Sequence, residues 1–130
     1  MVLSFDETAD LLDKLAERFP RELFHDLNGG ISLLPEAKLS PEDMAGDLYT
    51  MGEYCVDQMG RYIVLYYGSF ARILAGCSRE EWERELYETL SHELTHHMEG
   101  LAGERSLEWK DQRDLEAYRM RHEENTPPSK

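Results

Sequence analysis

Within Glu88 to Gly103, which reads ETLSHELTHHMEGLAG, three residues are set out as in a hydrolytic metal centre. His92, Glu93 and His96 spell HExxH, a pattern with chemical meaning only when it lies on a helix. At about 100° per residue, histidines four apart fall within about 40° of each other, one turn apart along the axis. Both imidazoles can then reach one metal ion. Glu93 lies at the edge of the same sector, where it can accept a proton from a metal-activated water without being a ligand itself. The chemistry this spacing allows is metal-assisted hydrolysis with Glu93 as general base.

The neighbouring residues predict the helix independently of the motif. Ser78 followed by Glu81 is a capping box, and Trp82, Leu86, Leu90, Leu94 and Leu101 recur at helical spacing as an apolar stripe. Glu85, Thr89, His92 and His96 fall on another sector, which gives the helix one buried face and one polar cleft face. Gly100 and Gly103 mark its expected end. His97 lies on the apolar side, so it cannot share an ion with His92 and His96, and it reads as a half-buried or supporting histidine.

Two histidines do not complete a zinc site, because a catalytic zinc commonly takes three protein ligands and keeps one position for water. A metzincin has a histidine six residues after the second motif histidine; here that residue is Ala102, which excludes the class. Glu104, just beyond the glycines expected to end the helix, is placed to turn back as the third ligand. Glu108 and Asp111 follow it on the same segment, and Glu116 is the choice if the ligand comes from a following helix, as in gluzincins. Glu99, one turn past His96, reads as a supporting residue. Tyr66, Tyr67, Arg105 and Tyr118 are the candidates for assisting an oxyanion. Zn²⁺ is the expected cofactor, as one ion, although nickel, cobalt or manganese also suits a His/His/carboxylate donor set. His25 stands alone, with no carboxylate or cysteine at ligand spacing, and reads as a surface histidine.

The rest of the chain supplies the scaffold for these groups. Its 130 residues allow one domain with a real core, expected over residues 1–124, followed by a disordered tail at 125–130. Ser4 and Glu7 form a second capping box, and Phe5, Ala9, Leu12, Leu15, Ala16 and Phe19 keep helical spacing up to Pro20. A short helical turn closed by Asn28, Gly29 and Gly30 leads to a strand, ISLL, ended by Pro35. Residues 39–46 read as a loop with a helical turn. LYTMGEYCV and RYIVLYY then flank DQMG as a hairpin, the second strand apolar on both faces and therefore interior to a sheet. SFARIL is a helical turn leading to the motif helix, and the charged segment after Gly103 is expected to form a loop and a terminal helix.

Charge limits the partners. Against 14 Lys and Arg stand 27 Asp and Glu, a formal net charge of -13 that repels phosphate backbones and anionic membranes. The expected partner is a peptide or protein substrate, with no nucleic acid and no membrane. The acidic N-terminus lacks the basic start and apolar run of a signal peptide, and no segment approaches the ~20 apolar residues of a membrane span. A cytoplasmic protein is expected, its Cys55 and Cys77 reduced.

HELTHH at 92–97, the following EGLAGE, and more weakly LNGGI at 27–31 and GRYIVLYYGSF at 60–70 resemble the small bacterial zincin-like metallopeptidases. The resemblance implies an α+β minimal zincin: a small mixed or antiparallel sheet packed on an N-terminal helix and a long HExxH helix, with one strand bordering the cleft. Many relatives have a glycine three residues after the second motif histidine and an aspartate three further on. Here those positions are Glu99 and Ala102, so the resemblance does not transfer a third ligand. The implied activity is zinc-dependent peptide hydrolysis; the alternative is a non-catalytic metal-binding interaction or regulatory domain on the same scaffold.

Overall fold

The computed structural model describes residues 2–42, 48–58 and 60–108, with side chains up to Gly103. The chain divides into two compact units, residues 1–94 and 95–130, with the boundary inside the motif helix.

In the first unit, helix α1 (Phe5–Ala16) is started by Ser4, whose hydroxyl accepts from the Glu7 N–H while the Glu7 carboxylate accepts from the Ser4 N–H. Both bonds satisfy donors that a helix start leaves orphaned. The buried face of α1 is Thr8, Leu11, Leu12 and Leu15, so Phe5, Ala9 and Ala16 flank the stripe rather than centre it. Thr8 can be fully buried because its hydroxyl donates to the Ser4 carbonyl, 2.8 Å away. A 3₁₀ turn (Arg21–Phe24) then leads to strand β1 (Gly30–Leu34). His25 beside it is exposed and lies 3.3 Å from the Asp26 carboxylate.

The expected single strand over LYTMGEYCV is divided. Tyr49–Thr50 forms β3, which pairs antiparallel with β2 (Lys38–Leu39) as a separate ribbon. Gly52–Asp57 forms β4, which pairs antiparallel with β5 (Gly60–Tyr66). Strand β2 overlaps the segment read as a loop only at Leu39, and a two-residue strand is too short to leave a periodic signal. Asp57 pairs with Gly60, so the β4–β5 connection is tighter than the DQMG spacing indicated. Gly60, at φ +113°, supplies a backbone conformation that other residues rarely adopt. The main sheet is mixed, in the order β1-β5-β4, with β1 parallel to β5. β5 is the interior strand, as its two apolar faces predict.

Register decides which residues enter the core. Ile31 pairs with Ile63 and Leu33 with Leu65, while Tyr54 and Gly52 lie across from the same two β5 residues. Ile63 and Leu65 are fully buried and share one cluster with Leu12, Leu15, Phe70, Trp82, Leu86 and Leu90. Helix α2 (Tyr67–Ile73) follows β5 directly, and a Cβ on Gly68 would lie 2.4 Å from the Ala37 amide nitrogen. That approach needs glycine.

Helix α3 (Arg79–Glu108) begins at the expected capping box, Ser78 and Glu81 exchanging bonds of 3.2 and 2.8 Å. Trp82 is its anchor. The indole is fully buried and its N–H donates to the Leu74 carbonyl at 3.1 Å. Trp82→Ala is expected to cost about 3–5 kcal/mol, read as a lower midpoint in chemical denaturation, because the lost volume comes with the loss of the indole hydrogen bond to Leu74, whose carbonyl keeps the Cys77 N–H at 3.0 Å.

The expected stop at Gly100 and Gly103 does not occur. The helix continues to Glu108, and neither glycine takes the left-handed backbone that terminates a helix. An interior glycine costs only about 1 kcal/mol relative to alanine, which a long helix absorbs. The terminal helix and tail expected after this point, with Asp111, Glu116 and Tyr118, lie outside the described residues.

Candidate metal centre

The motif sits on an unbroken stretch of α3, the context that HExxH requires. Each residue has a distinct environment. Within the first unit, His92 is exposed and Glu93 is buried, only 6% of it reaching solvent. In the second unit, His96 is partly exposed, with its Nδ1 3.8 Å from Glu99 Oε1. His97 is fully buried rather than half-buried, as is most of Leu101 on the same stripe.

What surrounds Glu93 comes from the free edge of β4. The Tyr66 N–H donates to the Met51 carbonyl at 2.9 Å, continuing the β4–β5 ladder by one residue. Antiparallel bonding alternates, so the backbone groups of Glu53 and Cys55 face β5 and those of Gly52, Tyr54 and Val56 face away. The outward Tyr54 N–H donates to the Glu93 carboxylate. A carboxylate one helix position from a candidate ligand is thereby tied to an edge strand.

Burial first, and then the negative charge of Glu53, push the Glu93 carboxyl up to about 7 against the opposing effect of the Tyr54 N–H. An acid with that affinity accepts a proton near neutral pH far more readily than an ordinary glutamate.

Glu53 itself is held by two partners. Lys38 Nζ lies 2.7 Å from Glu53 Oε2, and the Tyr66 hydroxyl donates to Oε1 at 2.7 Å. Desolvation acts to raise the Glu53 carboxyl, but the Lys38 and Tyr66 hydrogen bonds and the Lys38 charge bring it below its ordinary value. It therefore remains anionic beside Glu93. Lys38 also stands 5.5 Å from the centre of the Tyr66 ring. Lys38, Glu53 and Gly52 were not legible as site residues, since Glu53 and Gly52 reach this edge only through the pairing of β4 with β5, and Lys38 only through the packing of the β2 ribbon against Glu53.

Of the tyrosines considered for oxyanion assistance, Tyr66 gives its hydroxyl to Glu53 and Tyr67 to the Leu3 carbonyl. Tyr67 also packs edge-on to Phe5 and tilted against Trp82, which makes it a core residue. The side chains of Glu104, Arg105 and Glu108 lie outside the described residues. Their backbone does not. Because α3 continues, the α-carbon of Glu104 is about 12 Å further along the axis than that of His96, beyond the reach of a glutamate side chain. The turn that was to bring Glu104 back is replaced by helix. Among the described residues, no group of three or more His, Cys, Asp or Glu side chains is arranged to hold a metal ion.

Comparison with known proteins agrees with this architecture. A conserved hypothetical protein from "Thermo thermophilus" is 34% identical, with a TM-score of 0.66 over 78% of this chain and 99% of its own. No curated protein matches. The model of the zincin-like metallopeptidase family matches residues 41–117, more than half the chain, from before β3 to beyond the end of α3. The chain belongs to the zincin-like metallopeptidase family.

Proposed function

We propose that the protein is a zinc-dependent peptidase in which His92 and His96 hold one ion and Glu93 is the general base. The observation that carries this reading is the Glu93 carboxyl, desolvated, fixed by the Tyr54 N–H and raised to about 7, on a helix that also bears His92 and His96. The donor types suit zinc: two imidazoles, with a carboxylate to complete the set. Since α3 carries Glu104 away from His96, the reading takes its third ligand from the acids of the segment beyond Glu108, with Asp111 and Glu116 as the first choices among them.

When bound, zinc supplies Lewis-acid polarisation of the attacking water and of the scissile carbonyl. Glu93 takes the proton from that water at a carboxylate oxygen and returns it to the departing amine. The Tyr54 N–H holds the carboxylate in one orientation throughout. An extended peptide would align along the outward backbone groups of β4 by main-chain hydrogen bonds, leaving the Tyr54 N–H to Glu93. The net charge of -13 favours basic or neutral sequences over acidic ones.

Both cysteines are free, in keeping with a reducing, cytoplasmic setting. No helix among the described residues is long and apolar enough to cross a membrane. The deciding experiment loads the purified protein with zinc and incubates it with a quenched fluorescent peptide library. Cleavage that a chelator abolishes and zinc restores is the expected result. Stoichiometric zinc binding with an uncut library would instead identify a non-catalytic metal-binding domain.

A further inference from the structure

The approach of α3 to β4 is limited by one residue. A Cβ on Gly52 would lie 2.9 Å from Thr89 Cγ2, 3.2 Å from the Val64 carbonyl oxygen and 3.5 Å from Glu93 Cγ. The first distance is one that real Cβ atoms essentially never show, and the second requires a backbone carbonyl to move. Nothing about the backbone of Gly52 itself calls for glycine, since positive φ is confined, among the described glycines, to Gly30 and Gly60. Glycine is needed here for space alone.

That space is functional in direction. Gly52 and Tyr54 both direct their backbone groups to the free edge of β4, and Glu93 stands one turn beyond Thr89 on α3. The helix residue that a side chain at position 52 would strike is thus one turn from the carboxylate that Tyr54 holds. We propose that Gly52 is a positioning residue: its missing side chain sets the separation of α3 from β4 at which the Glu93 carboxylate receives the Tyr54 N–H. As a statement about catalysis this rests on Glu93 being the base; as a statement about geometry it does not.

The test separates the two. In ¹⁵N-labelled zinc-loaded protein, the Tyr54 amide resonance reports the bond to Glu93 whether or not the protein cuts peptides, with Glu93→Ala as the reference for its loss. Gly52→Ala is expected to move the Tyr54 amide towards the Glu93→Ala position and to retain stoichiometric zinc. It should lower kcat on a cleavable library peptide by roughly tenfold to a hundredfold, the cost of displacing a reacting group by about an ångström, with little change in KM. Thr89→Ser removes the methyl that the new Cβ would strike, so Gly52→Ala/Thr89→Ser should recover part of both losses.

A Tyr54 amide and a kcat at wild-type values in Gly52→Ala would overturn the proposal. So would a shifted amide with unchanged kcat, as far as catalysis is concerned. Should Gly52→Ala not fold, Thr89→Leu crowds the same gap from the helix side and is expected to shift the same amide. An unmoved Tyr54 in that variant, or loss of fold in both, assigns the glycine to stability alone and also overturns the proposal. If the wild-type protein cuts nothing, the peptidase reading fails while the amide shifts still decide the role of Gly52.

Discussion

Glu93→Gln is expected to leave zinc content at one ion per chain while lowering the rate of peptide hydrolysis by roughly 10²–10⁴-fold, the range ascribed to a positioned general base. Glutamine has nearly the shape of glutamate and keeps an oxygen to accept from the Tyr54 N–H, so the site should persist without its proton acceptor. Peptide hydrolysis measured beside elemental analysis checks both halves. Full activity in the variant would remove Glu93 from the mechanism.

The same substitution has a second consequence in the metal-free protein, and its direction is fixed by burial. A carboxyl whose folded value is raised from 4.5 to about 7 retains a proton that the unfolded chain releases. Between those values the folded state binds more protons than the unfolded state, so stability falls as pH rises. The full span corresponds to about 3 kcal/mol at 1.36 kcal/mol per unit. Glutamine carries no such charge. Metal-free Glu93→Gln should therefore match the wild type near pH 4.5 and exceed it in thermal midpoint at pH 8. Equal midpoints at pH 8 would mean that the buried carboxyl ionises without cost.

His96→Ala is expected to have the other large effect, on metal rather than on rate. Removing one of two imidazoles should reduce zinc affinity by more than the roughly 10–100-fold that loss of a merely supporting residue costs. Activity should fall with occupancy and return in part at high zinc. His92→Ala should behave in the same way. His97→Ala provides the contrast: this ring is fully buried, so its loss should lower stability by about 1–3 kcal/mol and leave zinc affinity near wild type. A chelator-competition titration of the three variants, beside denaturation curves, distinguishes ligands from the packed histidine. Equal zinc affinity in all three would sink the assignment of His92 and His96.

The framework of the site was legible in the order of residues along the chain. Capping boxes at Ser4 and Ser78 are local bonds between residues three apart, and the Trp82, Leu86, Leu90 and Leu94 stripe follows from helical period alone. HExxH spacing belongs to the same class of information, because one helix turn relates its members. The interior position of β5 could also be read, from its apolar residues on both faces.

Spacing along the chain cannot encode which distant segments meet. Gly100 and Gly103 look like a stop because glycine is favoured at helix ends, yet a helix interior tolerates them at small cost. The strand division at Met51 depends on which partner each half finds, Lys38–Leu39 or β5, and neither choice is written in the segment itself. The environment of Glu93 was hidden for the same reason. Its burial, the Tyr54 N–H that holds it and the anionic Glu53 beside it all arise where the free edge of one strand meets one face of a helix some forty residues later. Local sequence specifies which groups a helix carries; only the packing of strand against helix sets the dielectric and the hydrogen bonds that give one of those groups its proton affinity.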